Sequence, residues 1–165
     1  MKQKTFKNIR TVCIIALALC GIWALVMLGH FLTMSLASKN DFFAKMTGLP
    51  IMDWGTHTTA KIVYFIIYVI TTLVMIWLCV KILCNILKGI KEGVVFPKSN
   101  VKPFYWLALA DFIYMAVNRN STFLLYDAYS ICFNHDNFTT PFIILIIAMM
   151  YKIASQAVEE NNLTI

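Results

Sequence analysis

Asp111 is the one acid inside an apolar run of this 165-residue chain. A carboxylate surrounded by hydrocarbon needs a partner or a proton, so such a residue is where proton or cation handling is first sought. Tyr114 and Asn118 follow at i+3 and i+7 and give that helix a polar seam. An earlier apolar segment has a matching seam, because Tyr64, Tyr68, Thr71, Met75 and Cys79 recur at helical spacing. Thr71 and Thr72 stand at about the depth of Asp111, counted back from Lys81. The set Asp111, Tyr114, Asn118, Thr71 and Thr72 is therefore a candidate intramembrane site. The plainer alternative is a carboxyl group that hydrogen-bonds across a helix pair and serves packing alone. A lone acid favours the plainer alternative. Lys152 is the one residue able to supply a second charge at that depth, if its helix stays embedded; otherwise its side chain snorkels to the interface.

Other chemistry finds little footing. His57, His135, Asp53, Asp127 and Asp136 fall between apolar runs, with His30 near the end of the first, and no two histidines share a ligand spacing such as HxxxH. The chain lacks a phosphate loop, a nucleophile elbow and a dinucleotide fingerprint. Cys13, Cys20, Cys79, Cys84 and Cys132 form no CxxC pair and read as small apolar residues, which argues against a thiol oxidoreductase. The expectation is a non-enzyme without metal or cofactor.

Positioning these residues falls to long apolar segments. Apolar residues make up 60% of the chain and charged residues 13%, too oily a balance for a soluble domain of this size. The net charge of +6 does not form one basic face. The lysines sit at the ends of apolar runs, which points to a lipid surface and away from direct nucleic-acid binding. Four spans are predicted at 12–36, 60–82, 103–124 and 138–158, in a single domain covering 1–165. The first follows Lys2, Lys4, Lys7 and Arg10 and is too long for a signal-peptide core, so it reads as an uncleaved helix.

The second helix should continue past the membrane to Glu92, with Ile82, Leu83, Ile86, Leu87 and Ile90 on one face and Lys81, Asn85, Lys88 and Glu92 on the other. Gly93 is its expected stop. The connector 83–102 then leads to the third span, which reaches full length by including Asn118 to about Phe123. Thr140-Pro141 is the expected start of the fourth, the weakest of the set. By this arrangement ten Lys and Arg lie on one side and four on the other, which puts both termini and the connector in the cytoplasm. The fold class is all-α: a polytopic integral membrane protein with four transmembrane helices as two helical hairpins, in a bacterial cell membrane.

Two stretches resemble a bacterial membrane family catalogued as domain of unknown function 2975. Gly93-Val-Val-Phe96-Pro-Lys-Ser-Asn100-Val101 is similar to its Gly-x-x-Phe-x-x-x-Asn-Val connector. Glu159-Glu160-Asn-Asn-Leu163-Thr-Ile165 is similar to its acidic ending followed by Leu-Thr-Ile or Val. The chain departs from the pattern at Asn162, where an acid is common, and at Pro97, where Ser or Thr is usual. The resemblance implies four spans and, because members are often encoded beside a small helix-turn-helix regulator, a membrane accessory or sensor role.

The same role is expected from where the non-lipid information sits. Lys88, Lys91, Phe96, Asn100, Glu159, Glu160, Leu163 and Ile165 form a candidate cytoplasmic contact surface for a protein partner, such as that regulator. The acidic tail would dock on the basic connector. The competing expectation is a small proton- or cation-coupled transporter or channel subunit that uses Asp111.

Overall fold

A computed structural model describes residues 2–37, 58–120 and 135–163. Four α-helices make up nearly all of this: α1 (Lys2–Ala37), α2 (Thr58–Lys91), α3 (Val101–Arg119) and α4 (Asp136–Leu163), with a short 3-10 turn at Lys98–Asn100 before α3. No strand occurs among the described residues. Segments of α1, α2 and α4 are long and apolar enough to cross a membrane, namely Lys4–Leu32, Thr59–Lys91 and Asn137–Glu160. Their outer faces expose large apolar side chains, among them Leu25, Ile70, Trp77, Ile146 and Met150. A soluble monomer does not tolerate so continuous a surface, whereas lipid covers it at no cost. The described residues are helical, with three helices long and apolar enough to span, consistent with a multi-pass membrane protein.

Each helix packs on its neighbour in the chain, α1 on α2, α2 on α3, and α3 on α4. Pairing along these contacts is antiparallel. Phe31 of α1 meets Phe65 and Tyr68 near the start of α2, and Tyr68 meets Asn118 near the end of α3. Phe112 of α3 reaches Phe138 at the start of α4. The main apolar core lies between α2 and α3, where Met75, Leu78 and Ile82 bury against Leu107 and Ala110, with Trp23 of α1 and Ile144 of α4 closing over them. The start of α1, the connector and the end of α4 therefore share one end of the molecule, called here the connector end.

Helix α2 matches its expected length closely and stops where glycine permits. Gly93 has φ +77°, a conformation that costs other residues about 1–2 kcal/mol. The Val94 N–H donates to the Gly89 carbonyl at 2.7 Å and the Gly93 N–H to that of Ile90 at 3.2 Å, the paired bonds of a Schellman ending. Gly89 makes this possible, because a Cβ there would lie 2.6 Å from the Val94 carbonyl oxygen.

Three expectations need correction. The third helix ends at Arg119 and not near residue 124, since the Asn120 side chain and backbone N–H turn back to the carbonyls of Ala116 and Val117. With 19 residues that include Lys102, Asp111, Asn118 and Arg119, α3 rather than α4 is the least membrane-like helix. Helix α4 starts at Asp136, so Pro141 lies inside it rather than in the first turn. The proline leaves the Asn137 carbonyl without its i+4 donor, and the extra turn buries Asn137 and packs Phe138 on Phe112. Lys61, near the start of the predicted second span, lies in the first turns of α2 and is fully buried.

Candidate functional site

The intramembrane seam forms in part. Helical spacing brings Tyr64 and Tyr68 of α2 against the last turns of α3. There the Tyr64 hydroxyl donates to the Val117 carbonyl and the Tyr68 hydroxyl to Asn118 Oδ1 at 2.9 Å. Tyr114 stacks on Tyr68 with ring centroids 5.9 Å apart. One turn or more away, Asp111 is buried at 4% exposure, and its Oδ2 has no hydrogen-bond partner. The threonines expected to meet it do not supply that bond. Thr71 donates to the Ile67 carbonyl and Thr72 to that of Tyr68, because a helical hydroxyl finds its own i−4 carbonyl more easily than a neighbouring helix. Lys152 is exposed at the connector end, beside Lys98, Ser99 and Lys102, so it is not the second charge at Asp111's depth.

The connector end holds a buried side chain that bonds to two neighbouring helices. Asn100 occupies the N-cap position of α3, yet its side chain makes no cap bond. It turns inward, fully buried, and its Nδ2 donates to the Ile82 carbonyl at 3.0 Å and to the Tyr151 hydroxyl at 3.3 Å. Its Oδ1 accepts from Asn85 Nδ2 at 2.8 Å. One amide thereby ties α2, α3 and α4 together. Tyr151 is further held by Phe96 and Phe104, with ring centroids at 5.4 and 5.0 Å. Outside this knot, Lys98 Nζ pairs with Glu159 at 2.9 Å.

No family model, curated protein or solved structure matches this chain. The functional argument therefore rests on geometry.

The expected contact surface divides accordingly. Asn100 is no contact residue: it is sealed in the core and its task is structural. Phe96 keeps an exposed edge while packing on Tyr151. Lys88 and Lys91 are exposed in the last turn of α2, where cations complement the helix dipole. Glu159 and Glu160 are exposed too, but they continue α4 as helix rather than forming a free tail. Glu159 docks on the connector through Lys98. Leu163 ends α4, with its side chain outside the described residues, as is Ile165. Cys132, Asp53, His57 and Asp127 likewise lie outside them.

Sequence reasoning missed two members of the knot. Tyr151 carried only the general signal of an aromatic with a polar tip in an apolar helix. Asn85 was assigned to the lysine face of α2, yet it is half-buried against Asn100.

Among the described residues, no group of three or more His, Cys, Asp or Glu is placed to hold a metal ion. Cys13, Cys20, Cys79 and Cys84 are free thiols. Among the described residues, the arrangement provides a hydrogen-bonded, basic-rimmed end and one buried acid, Asp111.

Proposed function

We propose that this chain is a four-span protein of a bacterial cytoplasmic membrane with both termini inside, and that it works as a non-enzymatic accessory or sensor protein with a cytoplasmic protein partner. The resemblance of the Gly93–Val101 connector and of the C-terminal residues to domain of unknown function 2975 agrees with that reading. The observation that carries it is the Asn100–Tyr151 knot. Three hydrogen bonds, two of them buried, hold the connector against α2 and α4, while Lys88, Lys91, Glu160 and the edge of Phe96 stay exposed around it. A loop of lipid-anchoring lysines needs no such rigidity, whereas a surface that presents side chains to a protein partner gains affinity from it.

Two experiments test the two halves. Single cysteines at Ser38, Ser99 and Asn134, in a cysteine-free background, are labelled from either side of intact cells. Ser99 is expected to label only after permeabilisation, and outward protection of Ser38 or Asn134 defeats the topology. Co-purification in mild detergent from the native cell then compares the full chain, a chain truncated after Val158, and Lys88→Glu/Lys91→Glu. The reading requires one protein recovered with the full chain and lost with the variants. An identical set from all three refutes it.

A second reading is favoured by one observation, the partnerless Oδ2 of buried Asp111. It makes the chain a small proton- or cation-coupled transporter or channel subunit. Proteoliposomes carrying a pH-sensitive dye decide it: Asp111→Asn must abolish a flux shown by the parent while leaving the fold intact. Absence of flux in the parent removes this reading.

A further inference from the structure

A groove of about 480 Å³ runs along the outer surface between α2 and α3. Its body is apolar and aromatic, with Trp77 on one wall and Trp106, Leu109 and Ile113 on the other, and Lys81 and Lys102 stand at its connector-end mouth. The groove walls are exposed, Trp77 at 58% and Trp106 at 60%. From Lys102 to Ile113 is 11 residues, about 16 Å along the helix, which accommodates the greater part of one acyl chain. Lys81 Nζ sits 4.6 Å from the centre of the Trp77 ring, so a cation–π contact holds its charge at the groove wall. Neither Lys81 nor Lys102 is neutralised by a carboxylate among the described residues. Lys102 also lines a second groove shared with Lys98 and Lys152, which keeps the local potential positive.

We propose that this groove is a binding site for one anionic glycerophospholipid, its phosphate bridging the ammonium groups of Lys81 and Lys102 and one acyl chain lying against Trp77 and Trp106. Charge complementarity selects the occupant. A zwitterionic headgroup brings its own ammonium to a mouth that already holds two, whereas an anionic headgroup brings only phosphate. The order of features along the groove, cationic at the interface and apolar towards the bilayer centre, follows the order of groups in a phospholipid. The site rests on the placement of α2 and α3 in the bilayer with their connector end at an interface.

The test uses the full chain in lipid nanodiscs. A Trp23→Phe/Trp54→Phe background leaves Trp77 and Trp106 as reporters among the four tryptophans. Brominated phosphatidylglycerol at a small mole fraction is expected to quench them more strongly than the same fraction of brominated phosphatidylcholine. Lys81→Gln or Lys102→Gln alone should reduce that preference about fivefold, the equivalent of about 1 kcal/mol per lysine near an anionic surface, and the pair about thirtyfold. Lys88→Gln/Lys91→Gln, on exposed lysines outside the groove, should leave it intact, with circular dichroism reporting the fold of every variant. Equal quenching by the two lipids in the parent overturns the site while leaving the membrane placement standing. Quenching by neither lipid overturns the placement of α2 and α3 and the site with it. A preference lost in Lys88→Gln/Lys91→Gln but kept in the groove variants also overturns the site.

Discussion

Replacing Asn100 by alanine should be the most damaging small change at the connector end. The side chain is fully buried and makes three bonds, at 2.8, 3.0 and 3.3 Å. Hydrogen bonds between membrane helices average about 0.6 kcal/mol each, so their loss amounts to about 2 kcal/mol. Asn100→Ala also strands the half-buried Asn85 amide and the Tyr151 hydroxyl, at about 1–3 kcal/mol for a group that finds no new partner. With one of the two groups left unpaired, the expected total is about 3–5 kcal/mol. It is measured by reversible unfolding in mixed micelles with increasing denaturing detergent. Tyr151→Phe removes only the 3.3 Å bond and keeps the ring on Phe96 and Phe104, so it should cost about 0.6 kcal/mol. In double-mutant cycles Asn100 should couple to both Asn85 and Tyr151, more strongly to Asn85. If Asn100→Ala unfolds within about 0.5 kcal/mol of the parent, or if both cycles are additive, the amide is not what ties the helices together.

Gly89→Ala should destabilise the same end by about 1–3 kcal/mol in that assay, because a Cβ 2.6 Å from the Val94 carbonyl must push the connector off the helix. Gly21→Ala, with nothing within 4 Å of the added carbon, is the control and should be neutral or slightly stabilising. Glu159→Gln should change stability by less than about 1 kcal/mol, since the Lys98 pair is well exposed; a larger, salt-insensitive loss would contradict the surface assignment. Asp111→Leu should be tolerated by the fold and Asp111→Lys should disrupt it, read as monodisperse yield in mild detergent, because the site is enclosed and a longer, charged side chain finds no partner there.

Helices were legible wherever hydrophobic run length and glycine chemistry decided the outcome. The long α2 and its Gly93 stop follow from an apolar face that outlasts the membrane and from the one residue that turns left-handed without strain. Residues whose role depends on distant parts of the chain were not legible. Asn before Val101 reads as a cap or a surface residue, and only the packed bundle reveals a carbonyl 18 residues back and a hydroxyl 51 residues on. The Tyr68–Asn118 bond was within reach of helical spacing, because both residues sit on seams of antiparallel helices. The matching step from Thr71 and Thr72 to Asp111 failed for a local reason, the preference of a helical hydroxyl for its own backbone. At α4, the Thr140-Pro141 signal was outweighed by packing: one more turn places Phe138 on Phe112, and a proline that early in a helix sacrifices a single bond.

The brevity of α3 bears on the membrane that suits this protein. In the four-span arrangement its charged ends, Lys102 and Arg119, are 17 residues apart, about 26 Å, against a hydrocarbon thickness of about 30 Å. The longer α2 cannot answer by tilting alone, because Tyr68–Asn118 at one end and Ile82–Asn100 at the other fasten it to α3. In that proposed arrangement, hydrophobic mismatch would fall on the lipid, thinning it around the bundle, and on the stem of Lys102, which would stretch towards the headgroups. Bilayers of shorter-chain lipids should hold the folded bundle with less elastic cost than thick, sterol-like ones, and the bundle's stability becomes a gauge of membrane thickness.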